Sequence, residues 1–194
     1  MAHTACWVQT QLPIEMVDIL VKDIKSIEAE NFLIDSEVLD GETDNINKEI
    51  RYSKNSWIPA THWIGGLLMH YVERVNEENF LYDISSIENK RIQYSEYTKD
   101  NFYTWHSDQD IDTIESNNEV RKLSFTLQLS SGDEYTGGDV QFYSRDGKRS
   151  SSFMAPRNRG DLIIFDSRTV HRVRKIKSGV RKSLVGWIVG PRWK

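Results

Sequence analysis

The chain has 194 residues, 38% hydrophobic and 28% charged, which is enough for one core without staples and excludes a disordered or fibrous protein. Its single cysteine, Cys6, excludes an internal disulfide and the multi-thiolate metal motifs, and no apolar run is long enough to span a membrane. Net charge is −4 but uneven: residues 145–194 hold 14 Lys and Arg against 3 Asp and Glu, so this part either meets an anion or folds between acidic strands that neutralise it.

The opening residues, "MAHTACWVQTQLP", lack the basic start and apolar stretch of a secretory leader. With the lone thiol, this suggests a reducing, cytoplasmic setting. In "LPIEMVDILVKDIKSI", Ile14, Val17, Leu20, Val21, Ile24 and Ile27 form a helical stripe behind Pro13. A polar, irregular stretch from Asp35 to Ser56 follows, expected as turns and edge strands. In "IPATHWIGGLLMHYVERVN", Trp63, Ile64, Leu67, Leu68, Tyr71 and Val75 form a second stripe, with Gly65 and Gly66 permitting close packing on a sheet.

After Phe80 the period changes to two. "RIQYSEYT", "FYTWHSD", "VRKLSFTLQLS", "DVQFYS", "DLIIFDS", "TVHRVRKI" and "VRKSLVGWIV" all have the pattern of strands, separated by Gly- and Ser-rich turns. Strands at this spacing, with no helix between them, predict an antiparallel sandwich or barrel against which two helices pack. One domain over residues 1–194 is expected, with helical support over 1–79 and the β core over 80–194. In "RKLSFTLQLS", Leu123, Phe125, Leu127 and Leu129 share one face, and Ser124, Thr126 and Gln128 the other. The polar face meets either solvent or the lumen of a small barrel that holds a polar ligand.

The stretch "NFYTWHSDQDID" places His106 and Asp108 two residues apart. In a strand these project from one face with roots roughly 6–7 Å apart. They form either a local hydrogen-bonded pair or two ligands of one ion. Imidazole plus carboxylate suits Fe(II), Mn(II) or Zn(II), and a labile ion needs a third ligand. His3, His62 and His70 are poor candidates, being at the terminus or on the helix. His171, in "SRTVHRV", lies on a late strand that a sandwich can bring beside an early one. Two His and one carboxylate on one face of an octahedron leave three positions open.

Ten residues past His171, across "KSG", comes Arg181. A hairpin centred near Ser178 would set it opposite about Arg174, roughly 10 Å along from His171. That is within reach of the far carboxylate of a five-carbon dicarboxylate held at the metal. Arginine pairs bidentately with carboxylates, and Ser183 on the same strand face could add a hydroxyl.

With these residues in view, the chain resembles the Fe(II)- and 2-oxoglutarate-dependent dioxygenases, close to the prolyl 4-hydroxylase branch and its small bacterial relatives. The resemblance is carried by "QYSEYTKDNFYTWHSDQ", "RKLSFTLQLSSGDEYTGGDVQFY" and "GDLIIFDSRTVHRVRKIKSGVRKSLVGW", in family order. It implies a mainly β protein with flanking helices, a double-stranded β-helix of the jelly-roll, cupin-like kind. It implies His106, Asp108 and His171 as iron ligands and Arg181 as partner of the distal carboxylate of 2-oxoglutarate. Tyr97 matches a tyrosine lining the cosubstrate pocket, Gln128 a cosubstrate-contacting position, and Gly137–Gly138 a tight turn. The implied reaction uses O2 and 2-oxoglutarate, releases succinate and CO2, and hydroxylates an unactivated C–H, with ascorbate rescuing uncoupled turnover.

The substrate expected from this resemblance is a prolyl residue in a peptide or protein. Trp105, Trp187 and Tyr143 could supply aromatic walls, and the acidic loop over 109–120 either a lid or a plain solvated loop. Nucleobase or small-molecule oxidation ranks below this, because the nucleobase branch commonly carries its arginine farther from the distal histidine. A zinc hydrolase would leave Arg181 without its dicarboxylate. A non-catalytic jelly-roll binding module would have no use for four such residues in register.

Overall fold

In the computed structural model the described residues are 7–30, 33–35, 51–109, 118–146 and 149–193. In chain order they form β1 (Trp7–Gln11), α1 (Ile14–Glu30), β2 (Ile34–Asp35), β3 (Arg51–Tyr52), β4 (Lys54–Pro59), α2 (Trp63–Val75) and β5 (Ser86–Ile87). Then come β6 (Arg91–Tyr97), β7 (Phe102–His106), β8 (Glu119–Gln128), β9 (Tyr135–Gly137), β10 (Val140–Asp146) and β11 (Arg149–Met154). The last four are β12 (Asp161–Asp166), β13 (His171–Val173), β14 (Ile176–Gly179) and β15 (Arg181–Pro191).

Two antiparallel sheets face each other. The major sheet runs β1-β12-β8-β15-β6-β4-β2, with β5 on β15, and the minor sheet runs β11-β10-β13-β7-β3. This is the expected two-sheet jelly-roll architecture. Strands from before Phe80 enter both sheets, so the stretch expected as helical support also supplies β1 to β4. The reason is register: β4 pairs with β6 through six residues, from Lys54 opposite Glu96 to Pro59 opposite Arg91, and extends the major sheet beyond its C-terminal strands.

The helices cover the outer face of the major sheet. Val17, Leu20 and Ile24 of α1 and Ile64, Leu68, Val72 and Val75 of α2 join Leu123, Leu127, Leu162 and Leu184 in one apolar core. Two expected stripe members lie off it. Ile14 at the first turn of α1 is exposed, and so is Trp63, whose indole N–H instead donates to the Asp23 carboxylate at 2.7 Å and ties the helices together. His62 serves as the N-cap of α2, its ring accepting from the Ile64 amide. Gly65 is needed not for a sheet but for the preceding turn, since a Cβ there would sit 2.0 Å from the Ala60 carbonyl oxygen; Gly66 meets nothing.

The uneven charge is resolved by interleaving. Basic residues of the C-terminal quarter pair with acids from earlier strands and helices: Arg159 with Asp18 at 2.7 Å, Arg157 with Asp139 at 2.8 Å, Lys182 with Glu96 at 3.6 Å. The basic end is therefore partly neutralised by acids from earlier in the chain. No helix of the described residues is long and apolar enough to cross a membrane.

Candidate metal centre

The minor sheet builds the centre by pairing His171 of β13 directly with His106 of β7. Two residues along β13, Val173 faces Tyr103, three residues back on β7; the extra residue is a bulge. Because of it, Tyr103 and His106 share the inward side and stack with ring centroids 3.5 Å apart, where strict alternation would put them on opposite faces. The two imidazoles are 4.2 Å apart.

Asp108 arrives differently from the expectation that His106 and Asp108 share a strand face. β7 ends at His106, and Asp108 is aimed by loop contacts. Its amide donates to the Ser167 carbonyl at 2.9 Å, and its own carbonyl accepts from Arg121 at 3.0 Å. The carboxylate then presents Oδ1 3.5 Å from His106 Nε2 and Oδ2 3.6 Å from His171 Nε2.

These three donors fit a divalent ion. Each histidine directs Nδ1 at a backbone carbonyl, Thr104 O at 2.8 Å and Thr169 O at 2.9 Å. A carbonyl only accepts, so the ring proton is on Nδ1 and the Nε2 lone pair points inward, as a metal ligand requires. Burial alone would raise the Asp108 carboxyl, but the two histidines and the Ser124 hydroxyl overcome it and hold the group below the usual carboxylate range. Burial pushes the His171 ring down, against the pull of Asp108, toward its neutral form. Asp108 Oδ2 is buried without a hydrogen-bond partner, and ligand atoms of all three residues lie within 4.8 Å of one another.

Next to the triad is a cavity with about 480 Å³ of empty space, part of it open to solvent. The same cavity is lined by Arg181, only 2% exposed. The expected hairpin opposite Arg174 does not form. β14 turns away to pair with β9, assisted by Gly137 at φ 74, where a Cβ would meet the Lys175 carbonyl at 2.2 Å. Arg181 instead begins β15 in register with Tyr97 of β6, its guanidinium 5.6 Å from that ring. Among the described residues its guanidinium makes one hydrogen bond, from Nη1 to Ser183 Oγ at 3.2 Å; none of their carboxylates lies within 4.0 Å, and Nε has no partner.

Of the other expected site residues, Tyr97 and Trp187 line this cavity. Ser183 and Gln128 do not; they stand opposite each other one row behind it, where Ser183 holds Arg181 in place. Trp105 and Tyr143 are no walls. Alternation turns them to the outer face of the minor sheet, where they meet edge to face at 6.1 Å under the Arg172 guanidinium. Most of the expected lid over 109–120, and His3, lie outside the described residues. Three cavity residues had no signal in the sequence as a site: Tyr103, hidden by the bulge, and Arg51 and Gln93, which only tertiary pairing brings to the lumen.

Comparison with known proteins agrees with this geometry. The family profile of the 2OG-Fe(II) oxygenase superfamily matches residues 92–189. A PKHD-type hydroxylase of Parvibaculum lavamentivorans is 39% identical over 98 residues, 50% of this chain and 41% of that protein. A second, from a Synechococcus species, is 38% identical over 86 residues, 44% of this chain and 35% of its own length. The matched stretch thus spans less than half of these relatives. The crystal structure of a Pseudomonas putida prolyl-4-hydroxylase superposes with a TM-score of 0.72 at 22% identity, covering 96% of this chain and 93% of that one. A prolyl hydroxylase from Trichoplax adhaerens, in complex with a hypoxia inducible factor peptide fragment, gives 0.71 at 15% identity over 95% and 84%. These two likenesses are of fold.

Proposed function

Because the chain belongs to the 2OG-Fe(II) oxygenase superfamily, we propose that it hydroxylates a prolyl residue of a peptide or protein, with His106, Asp108 and His171 holding ferrous iron and Arg181 holding 2-oxoglutarate. The observation that carries this reading is one cavity lined both by a His-Asp-His donor set and by a buried guanidinium that has no acid partner among the described residues. The prolyl part is supported by the prolyl hydroxylases among the structural neighbours and by the PKHD-type hydroxylases matched in sequence.

When bound, iron supplies the coupling of 2-oxoglutarate decarboxylation, with O2, to insertion of one oxygen into a C–H; succinate and CO2 leave with the second oxygen retained in succinate. The chain's own residues do the rest. Arg181 and the Tyr97 ring receive and orient the distal carboxylate, with Ser183 fixing the guanidinium. The Asp108 carboxyl, held below the usual carboxylate range, is ready as an anionic ligand without a proton to remove. Phe165, Val140 and Val185 form an apolar wall that keeps water from the reacting atoms. Trp187, with Arg121 stacked 4.4 Å above it and braced by Glu88, adds an aromatic surface to the same cavity.

The test is incubation with Fe(II), 2-oxoglutarate and air in the presence of proline-containing peptides. A product heavier by about 16 Da, formed one for one with succinate, is expected. Succinate formation that no proline peptide stimulates would leave the oxygenase and remove the prolyl substrate. Ascorbate is expected to restore activity lost during turnover without substrate.

A further inference from the structure

The proposed reaction has no role for Arg51, a second buried guanidinium in the same cavity. It is 7% exposed, sits on β3 in register with Tyr103, and lies 5.0 Å over that ring. Among the described residues its hydrogen bonds go to neutral oxygens, Ser53 Oγ at 3.2 Å and Asn55 Oδ1 at 3.2 Å. No carboxylate among the described residues lies within 4.0 Å of it.

Among the described residues the charged side chains lining the cavity are Arg51, Arg181 and Asp108. On the reading given above, ferrous iron and the 2-oxoglutarate dianion cancel, and so do Asp108 and Arg181. Among the described residues the Arg51 charge is left over at a buried position, 7% exposed, where an unmatched ion is costly. A missing anion is the simplest resolution.

Position argues that this anion is not the cosubstrate's. Asn55, Ser95 and Ser183 form one cross-strand row on β4, β6 and β15. Arg51 is anchored to Asn55 at one end of the row and Arg181 to Ser183 at the other. Ser95, which donates to Asn55 at 3.0 Å, fills the middle. Two strand spacings of about 4.8 Å separate the anchors, so the two guanidiniums are held on different strands by different partners. We infer that Arg51 is a substrate-binding residue and that the substrate carries a carboxylate close to the carbon that is hydroxylated, as an acidic residue beside the target or as a free α-carboxylate. This rests on the oxygenase reading and narrows its substrate.

Mn(II)-loaded protein under argon, with 2-oxoglutarate present, binds without turnover and allows calorimetry. Two prolyl hexapeptides differing only in Asp or Asn beside the proline serve as probes, with L-proline against L-prolinamide as a second pair. At least one acid form should bind about ten- to a hundredfold tighter than its amide. Arg51→Gln should erase that difference while leaving 2-oxoglutarate affinity within about threefold of wild type, and Arg51→Lys should retain most of it. Equal binding, or none, for acid and amide in both pairs overturns the inference without needing any variant. Loss of 2-oxoglutarate affinity in Arg51→Gln as large as in Arg181→Gln also overturns it, assigning Arg51 to the cosubstrate. Failure of the wild type to bind 2-oxoglutarate would instead bring down the oxygenase site itself.

Discussion

The two faces of the major sheet are equally sealed from solvent and chemically opposite. On β8, outward-facing Leu123 and Leu127 and inward-facing Ser124, Thr126 and Gln128 are all 0–5% exposed. The outer face meets α1 and α2 and contains only apolar side chains at these positions. The inner face and the lumen beside it carry buried polar atoms with no partner, among them Asp108 Oδ2, Thr126 Oγ1, Arg181 Nε and Trp187 Nε1. Buried polar groups are nearly always satisfied, so a cluster that is not marks the place where a ligand completes the structure. Burial alone does not separate core from site here; unmet hydrogen-bonding capacity does.

Substitutions on the two faces should therefore separate stability from activity. The largest effect is expected for Asp108→Ala: the fold persists, and Mn(II) affinity by calorimetry falls more than about a hundredfold, since losing even a group that only orients a ligand costs up to that much. Retained metal affinity would move the centre elsewhere. Leu127→Ala on the opposite face should cost about 2–5 kcal/mol in urea unfolding, with turnover per folded molecule unchanged. A loss of turnover without loss of stability there would break the distinction between the faces.

Arg181→Met tests both properties at once. An unpaired buried charge destabilises the empty protein, so its removal should raise the melting temperature by about 2–4 °C. The same variant should weaken 2-oxoglutarate binding by about a hundredfold, because the distal carboxylate loses a charge-assisted partner. A lower melting temperature would mean that the guanidinium is already satisfied in the free protein.

How much of this could be read from the sequence follows the range of the interactions. The apolar stripe of α2 and the alternation of β8 depend on neighbours within a few residues, and both were legible. His106, Asp108, His171 and Arg181 were legible as residue types at suggestive spacings, but the routes by which they meet were not. Arg181 reaches the cavity through pairing with Tyr97, 84 positions earlier in the chain, rather than through the short hairpin its spacing suggested. Tyr103 was hidden because one bulged residue reverses the face it occupies. Arg51 lies in a polar stretch with no periodic signal at all. Local pattern fixes which face of a strand is apolar; which strands become neighbours is decided by long-range register.

Thr126 gives the smallest expected effect and the finest test of the comparison. It faces the cavity between Val185 of β15 and Ile163 of β12, and its hydroxyl is buried without a partner. Thr126→Val keeps the shape and replaces an unsatisfied hydroxyl by a methyl group. In the empty protein this should stabilise by about 1 kcal/mol, or about 2–4 °C in melting temperature. If the hydroxyl donates to bound 2-oxoglutarate, the variant also loses about 1 kcal/mol of affinity, roughly fivefold. The two effects then oppose each other: the melting temperature rises without the cosubstrate, and the added shift on saturation with Mn(II) and 2-oxoglutarate shrinks. Equal gains in both states would mean that Thr126 never touches the ligand, and the polarity of the inner face at that row would need a cause other than the cosubstrate.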